Sequence, residues 1–224
     1  MVLCLALCGC AASMRSDTTL NGGNMRYLAL GDSYTIGESV DESERWPVQL
    51  VALLRAAGIS IADPLIIART GWTTDELDAA INRAGPRGPF DLVTLLIGVN
   101  NQYRGRDAEE YRSQFINLLQ RAIEFAGGDA QRVIVLSIPD WSVTPYASRR
   151  DRDKVAQEID RFNAINRAES ERLGVHYVDV IPVSREADED ASLIASDGLH
   201  PSGKMYAAWA QLALPAASAA LAKK

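Results

Sequence analysis

The sequence predicts an α/β fold: a three-layer α/β/α sandwich around a five-stranded, mostly parallel sheet. Three observations predict it. Five short apolar runs, at residues 27–30, 65–68, 92–97, 133–138 and 175–180, are rich in Val, Ile and Leu, as strands buried on both faces are. Longer segments of helical period lie between them, and strand–helix–strand alternation implies parallel crossovers. A length of 224 residues suits one ample domain and is marginal for two.

The helical segments carry their own punctuation. Residues 46–57 place Trp46, Leu50, Leu53 and Leu54 on one face and stop at Gly58. Residues 73–83 are acidic in the first turn, with Thr73 or Thr74 as the cap. Residues 107–126 space Tyr111, Phe115, Leu118, Leu119 and Ile123 along one stripe and end in Gly127-Gly128. Residues 151–173 do the same with Val155, Ile159, Phe162 and Ile165, then reach Gly174. Residues 201–221 are Ala-rich, and Pro215 is expected to interrupt them.

Composition narrows the function. An apolar fraction of 47% supports a sizeable core, and a net charge of −6 argues against a general nucleic-acid binder. After residue 25 no run of eighteen apolar residues occurs, so nothing in the body is expected to span a membrane. All three cysteines, Cys4, Cys8 and Cys10, fall in the first ten residues, which leaves the body without a disulfide, a thiolate metal site or a cysteine nucleophile. Residues 1–24 read as an export leader and tether, and residues 25–224 as the domain. Leu7-Cys8-Gly9-Cys10 resembles a lipobox, with Cys10 as the candidate lipid anchor of a periplasmic or membrane-anchored lipoprotein. The alternative is a cytoplasmic enzyme that starts at Met25.

Two short motifs carry the chemistry. Gly31-Asp32-Ser33-Tyr34 places a serine hydroxyl directly after the first strand, and Asp197-Gly198-Leu199-His200-Pro201 places an aspartate three positions before a histidine. Serine, histidine and aspartate are the parts of an activated nucleophile. Only two histidines exist, and His176 falls inside a strand-like run, which leaves His200 as the base. Ligand crevices in such sheets lie beyond the carboxyl ends of the strands. Ser33 follows the first strand, Asn100 the third and the 197–200 loop the fifth, so all are expected on one edge. Each residue also has a plainer reading: Ser33 as a helix cap, Asp32, Gly71 and Asn100 as turn formers.

Four blocks together resemble the GDSL, or SGNH, hydrolase family. Gly31-Asp32-Ser33-Tyr34 resembles its nucleophile block, with Tyr34 where a leucine usually stands. Arg69-Thr70-Gly71-Trp72-Thr73 resembles its glycine block, and Gly98-Val99-Asn100-Asn101 its Gly-x-Asn-Asp block, with Asn101 in place of the aspartate. Asp197-Gly198-Leu199-His200-Pro201 matches the closing block. The resemblance covers residues 25 to about 215 and implies a flavodoxin-like SGNH hydrolase fold. It implies Ser33 as nucleophile, His200 as general base and acid, and Asp197 as its partner. Its oxyanion hole would comprise the Ser33 and Gly71 backbone N–H groups and the Asn100 amide.

The expected activity is hydrolysis of small carboxylic esters, with no metal and no organic cofactor. Carbohydrate O-deacetylation, lysophospholipase and thioesterase activity are the enzymatic alternatives, and a silent binding module is the non-enzymatic one. A flavodoxin-like nucleotide binder fits the alternation but lacks a glycine-rich phosphate loop. The partner is a small-molecule ester, not a nucleic acid. Tyr34, Trp72, Tyr103 and Trp141 are the candidate pocket walls. Arg69 and Arg104 flank the site blocks.

Overall fold

The computed structural model describes residues 24–222. Its five strands form one sheet in the order β2-β1-β3-β4-β5: β1 (Tyr27–Gly31), β2 (Leu65–Ala68), β3 (Leu92–Leu96), β4 (Val133–Leu136) and β5 (His176–Val178). Every neighbouring pair is parallel. The long helices are α2 (Trp46–Ala56), α3 (Thr74–Ala84), α5 (Ala108–Phe125), α6 (Arg152–Leu173) and α8 (Gly203–Ala222); α1 (Ser33–Ile36), α4 (Val99–Tyr103) and α7 (Ile181–Arg185) are single turns. Helix α2 packs on α8, while α3, α5 and α6 pack in series. These two layers sandwich the sheet, and β1, β3 and β4 are buried at every position. Membership of the α/β class is therefore as the sequence predicts.

Local chemistry explains the boundaries. Thr73 and Glu76 form a reciprocal capping box at the start of α3. Asp107 and Asp151 cap α5 and α6 with their carboxylates, and Gly174 ends α6 in a left-handed turn. The last strands are shorter than the apolar runs suggest. Ile138 leaves the sheet because Asn163 takes its backbone instead, accepting its N–H and donating to its carbonyl, both at 2.8 Å. Ser137 does the same for the chain after β5, its hydroxyl accepting the Val180 N–H at 2.8 Å.

Helix α8 corrects one expectation. It runs through Pro215 to Ala222 without interruption. Pro215 is exposed while Ala213 and Ala217 are buried, so the lost backbone hydrogen bond falls on the solvent side. The buried alanine face on α2 holds the helix across it.

The order β2-β1-β3 matters for function. The chain winds outward from β1 to β2, then returns to the other side of β1 with β3. The crevice opens where the winding reverses, at the carboxyl ends of β1 and β3.

Candidate active site

Ser33 owes its position to that reversal. Strand β1 ends at Gly31, and Asp32 caps α1 by accepting the Tyr34 N–H at 3.0 Å. Ser33 is the first residue of α1, so its N–H has no partner within the helix. Asp32 is fully buried, and that burial pushes its carboxyl up to about 7 against the pull of N–H groups from Tyr34, Asp32 itself and Gly98. Its Oδ1 accepts the Tyr34 N–H, and its Oδ2 is buried without a hydrogen-bond partner among the described residues.

The 197–200 loop folds around its own aspartate. Asp197 Oδ1 accepts the backbone N–H groups of Leu199 and His200, each at 2.9 Å. Its other oxygen, Oδ2, meets His200 Nδ1 at 2.5 Å. Burial works to raise the Asp197 carboxyl, but hydrogen bonds from the His200 ring, the Leu199 N–H, Ser39 and the His200 N–H outweigh it and hold it well below the ordinary carboxylate range. An ionised Asp197 fixes Nδ1 as the bound nitrogen and leaves Nε2 for a reacting hydroxyl. Ser33 and His200 line the same cavity. No hydrogen bond joins them among the described residues, a gap that such pairs close when substrate binds.

Gly71 and Asn100 come to the same cavity from β2 and β3. Gly71 has φ +88°, a conformation open to glycine and strained for other residues. Arg104 holds this turn, donating to the Gly71 carbonyl at 2.6 Å and to Glu76 at 3.2 Å. Asn100 Nδ2 donates to the Trp72 carbonyl at 2.9 Å, which orients the amide and leaves its second N–H. Gly98, which precedes α4, has φ +128°, and a Cβ there would lie 2.5 Å from the Tyr111 hydroxyl. Only glycine lets α4 start so close to α5.

Asn101 faces away from the cavity. It is buried, its Oδ1 accepts the Thr74 N–H at 3.1 Å, and its Nδ2 donates to the Thr74 hydroxyl at 2.7 Å. A neutral amide therefore braces the first turn of α3.

The cavity has a volume of about 150 Å³ and is mostly apolar, walled by Tyr34, Val99, Leu199 and three aromatic rings, Tyr103, Trp141 and Tyr146. Tyr34, Tyr103 and Trp141 are where the sequence placed them. Trp72 is not: its ring lies half-buried against the main core, and only its backbone carbonyl serves the site, through Asn100. The wall residue in its stead is Tyr146, whose hydroxyl lies 2.9 Å from that of Tyr103. Trp141 is fixed by Gln102, which accepts its indole N–H at 2.9 Å. The sequence pattern marked Trp141 in the loop after β4 but not Tyr146. It also missed Ser39, whose hydroxyl reaches Asp197 across 158 positions with no local signal.

His176 opens β5 at its amino end, opposite the edge where Ser33 and His200 gather. Among the described residues no cluster of His, Cys, Asp or Glu is arranged to hold a metal, and no helix is long and apolar enough to cross a membrane. Cys10 and the leader lie outside the described residues.

A doubly wound sheet with a serine, a histidine–aspartate pair and two candidate oxyanion donors on one edge has the architecture of an acyl hydrolase. The chain belongs to the GDSL-like lipase/acylhydrolase family, whose model matches residues 29–208. Solved structures share the fold at low identity. A GDSL-like lipase from Parabacteroides merdae superposes with a TM-score of 0.69 at 18% identity, covering 88% of this chain and 96% of that one. The acetylxylan esterase Axe2 from Geobacillus stearothermophilus gives 0.63 at 19% identity, over 89% and 95%. The esterase EstA from Pseudoalteromonas sp. gives 0.62 at 17% identity, over 87% and 97%. No curated protein sequence matches the chain.

Proposed function

We propose that the protein hydrolyses small carboxylic esters through an acyl-enzyme on Ser33. The observation that carries this reading is the Asp197–His200 pair opening on the same small cavity as Ser33. Ser33 Oγ attacks the ester carbonyl carbon and passes its proton to His200 Nε2. The carbon–oxygen bond to the leaving alcohol breaks, and His200 returns the proton to that oxygen. Water then repeats the sequence, releasing the carboxylic acid and restoring Ser33. The oxyanion is met by the Ser33 and Gly71 N–H groups and the Asn100 amide. A cavity of about 150 Å³ is smaller than the several hundred Å³ of sites for drug-sized ligands, which suits a short acyl group.

Carbohydrate O-deacetylation is the second reading. The rings of Tyr103 and Tyr146 are 46% and 45% exposed at the cavity mouth, and such rings suit a sugar face on the alcohol side of the ester. A fluorophosphonate is expected to label Ser33 and not the Ser33→Ala variant, and an ester panel with varied acyl length and acetylated sugars separates the two readings. Labelling at another serine overturns the assignment, and absence of turnover leaves a binding module.

The Leu7-Cys8-Gly9-Cys10 motif supports an exported, lipid-anchored location. Full-length protein expressed in a bacterial host is expected to partition with membranes and Cys10→Ser to be released. Release of both forms alike would favour the cytoplasmic alternative.

A further inference from the structure

Two neighbouring residues of the loop after α1 reach in opposite directions. Glu38 accepts a hydrogen bond from the Thr70 hydroxyl, beside the Gly71 turn. Ser39 donates its hydroxyl to Asp197 Oδ2 at 2.7 Å. That oxygen is the one that faces His200 Nδ1 at 2.5 Å. Ser39 is also the only non-glycine residue at positive φ among the described residues, at 66°. L-residues avoid this left-handed region because Cβ crowds the following carbonyl. Here the loop is held by Gly37, itself left-handed, and by the Glu38 N–H on the Ser33 carbonyl at 3.0 Å.

We propose that Ser39 is a positioning residue for the reaction: its hydroxyl holds the Asp197 carboxylate against the His200 imidazole and so tunes the base that serves Ser33. The inference rests on the roles assigned above to Ser33, His200 and Asp197. Both partners of Asp197 Oδ1 come from its own loop. Oδ2 has a single partner besides His200, and it comes from the other end of the fold. That bond restrains rotation of the carboxylate and draws off part of its charge. A carboxylate relieved of the bond stabilises the imidazolium more strongly, so the imidazole becomes more basic and less firmly oriented. Tyr34 meets the His200 ring, Asp32 and Asp140 act on Tyr34, Tyr206 and Glu38 lie in the same field as Asp197, and Glu38 adjoins Ser39 in sequence. None of them changes in the variants below.

Ser39→Gly deletes the hydroxyl and suits the left-handed backbone, while Ser39→Asn tolerates that backbone and brings back a donor. Ser39→Gly is expected to lower kcat by roughly tenfold with little change in KM, the size for an exposed hydrogen bond to a charged group. The acid limb of its pH profile should move to higher pH. The His200 imidazole, followed by NMR against His176, should move with it. Ser39→Asn should recover most of both, and Ser39→Gly should lose no thermal stability. Wild-type kcat and an unmoved His200 titration in Ser39→Gly would overturn the proposal. Equal losses in both variants with an unmoved titration would overturn it as well, marking Ser39 as part of the turn alone. A fully active Ser33→Ala would instead overturn the hydrolase mechanism, and the imidazole titration would still decide whether Ser39 acts on Asp197.

Discussion

The Tyr34 ring meets the His200 imidazole edge-on, with centroids 5.7 Å apart and planes inclined at 62°. Its far side meets Trp209 of α8 in a second edge-to-face contact at 6.2 Å. The residue after the candidate nucleophile thus links the candidate base to the C-terminal helix, a linkage that the leucine usual in the family cannot make. Such pairs contribute about 0.5–1.5 kcal/mol each beyond simple burial.

Tyr34→Leu is therefore expected to destabilise the protein by roughly 1–3 kcal/mol, the loss of two ring contacts and part of a buried volume. Because Tyr34 walls the cavity, the variant should also favour longer acyl groups. Urea unfolding reads the first effect and a p-nitrophenyl ester series the second. Unchanged stability with unchanged chain-length preference would show that the ring contacts contribute little.

Replacement of the two histidines should have opposite outcomes. His200→Ala is expected to reduce turnover by roughly 10⁴–10⁶-fold, close to the loss in Ser33→Ala, because nucleophile and base act as a unit. His176→Ala, at the amino end of β5, should stay within about twofold of wild type, a size expected for surface substitutions away from special features. Steady-state kinetics on a short-chain ester decide this, and a dead His176 variant would reverse the assignment.

Asn100 and Asn101, adjacent in sequence, should separate chemistry from stability. Asn100→Ala is expected to lower kcat by about 10²–10³ with little effect on unfolding, as removal of one oxyanion donor does. Asn101→Leu should cost about 1–3 kcal/mol of stability, because the buried Thr74 N–H loses its acceptor, and should largely spare kcat. Asn101→Asp keeps that acceptor if the Thr74 hydroxyl turns from Gln114 to the carboxylate, so it should fold and remain active. Parallel kinetics and denaturation on the three variants test the division.

Asp32 predicts a pH dependence of stability. Its carboxyl is raised from 3.8 to about 7 by burial, so below 3.8 it is protonated in both folded and unfolded states and carries no penalty. Between 3.8 and about 7 the unfolded chain ionises first, and stability falls as pH rises. The total is on the order of a few kcal/mol, fully developed above the folded value. Asp32→Asn keeps an acceptor for the Tyr34 N–H and removes the titration. Its urea midpoint should fall less steeply than wild type across this window. Parallel curves for the two proteins would show that Asp32 ionises normally in the fold.

Much of this molecule was legible in the sequence, and the reason is locality. The strands and helices announce themselves through apolar period, acidic first turns and terminal glycines. The Ser33, Gly71 and Asn100 turns each follow a strand in a parallel sheet, so topology carries them to one edge, while the His200 loop reaches that edge only after α7 and two short helical turns beyond β5. Asp197 reaches His200 because only Gly198 and Leu199 of one tight loop separate them. What only the tertiary structure decided are relationships between distant segments. Ser39 bonds Asp197, Gln102 fixes Trp141, Tyr146 closes the cavity that Trp72 was expected to line, and Asn163 ends β4 by taking the backbone of Ile138. Each depends on which side chains packing brings within hydrogen-bond range, a long-range outcome that no periodicity or turn signal encodes. Helix α8 passes Pro215 for the same reason: burial of its alanine face on α2 outweighs a local propensity read from sequence.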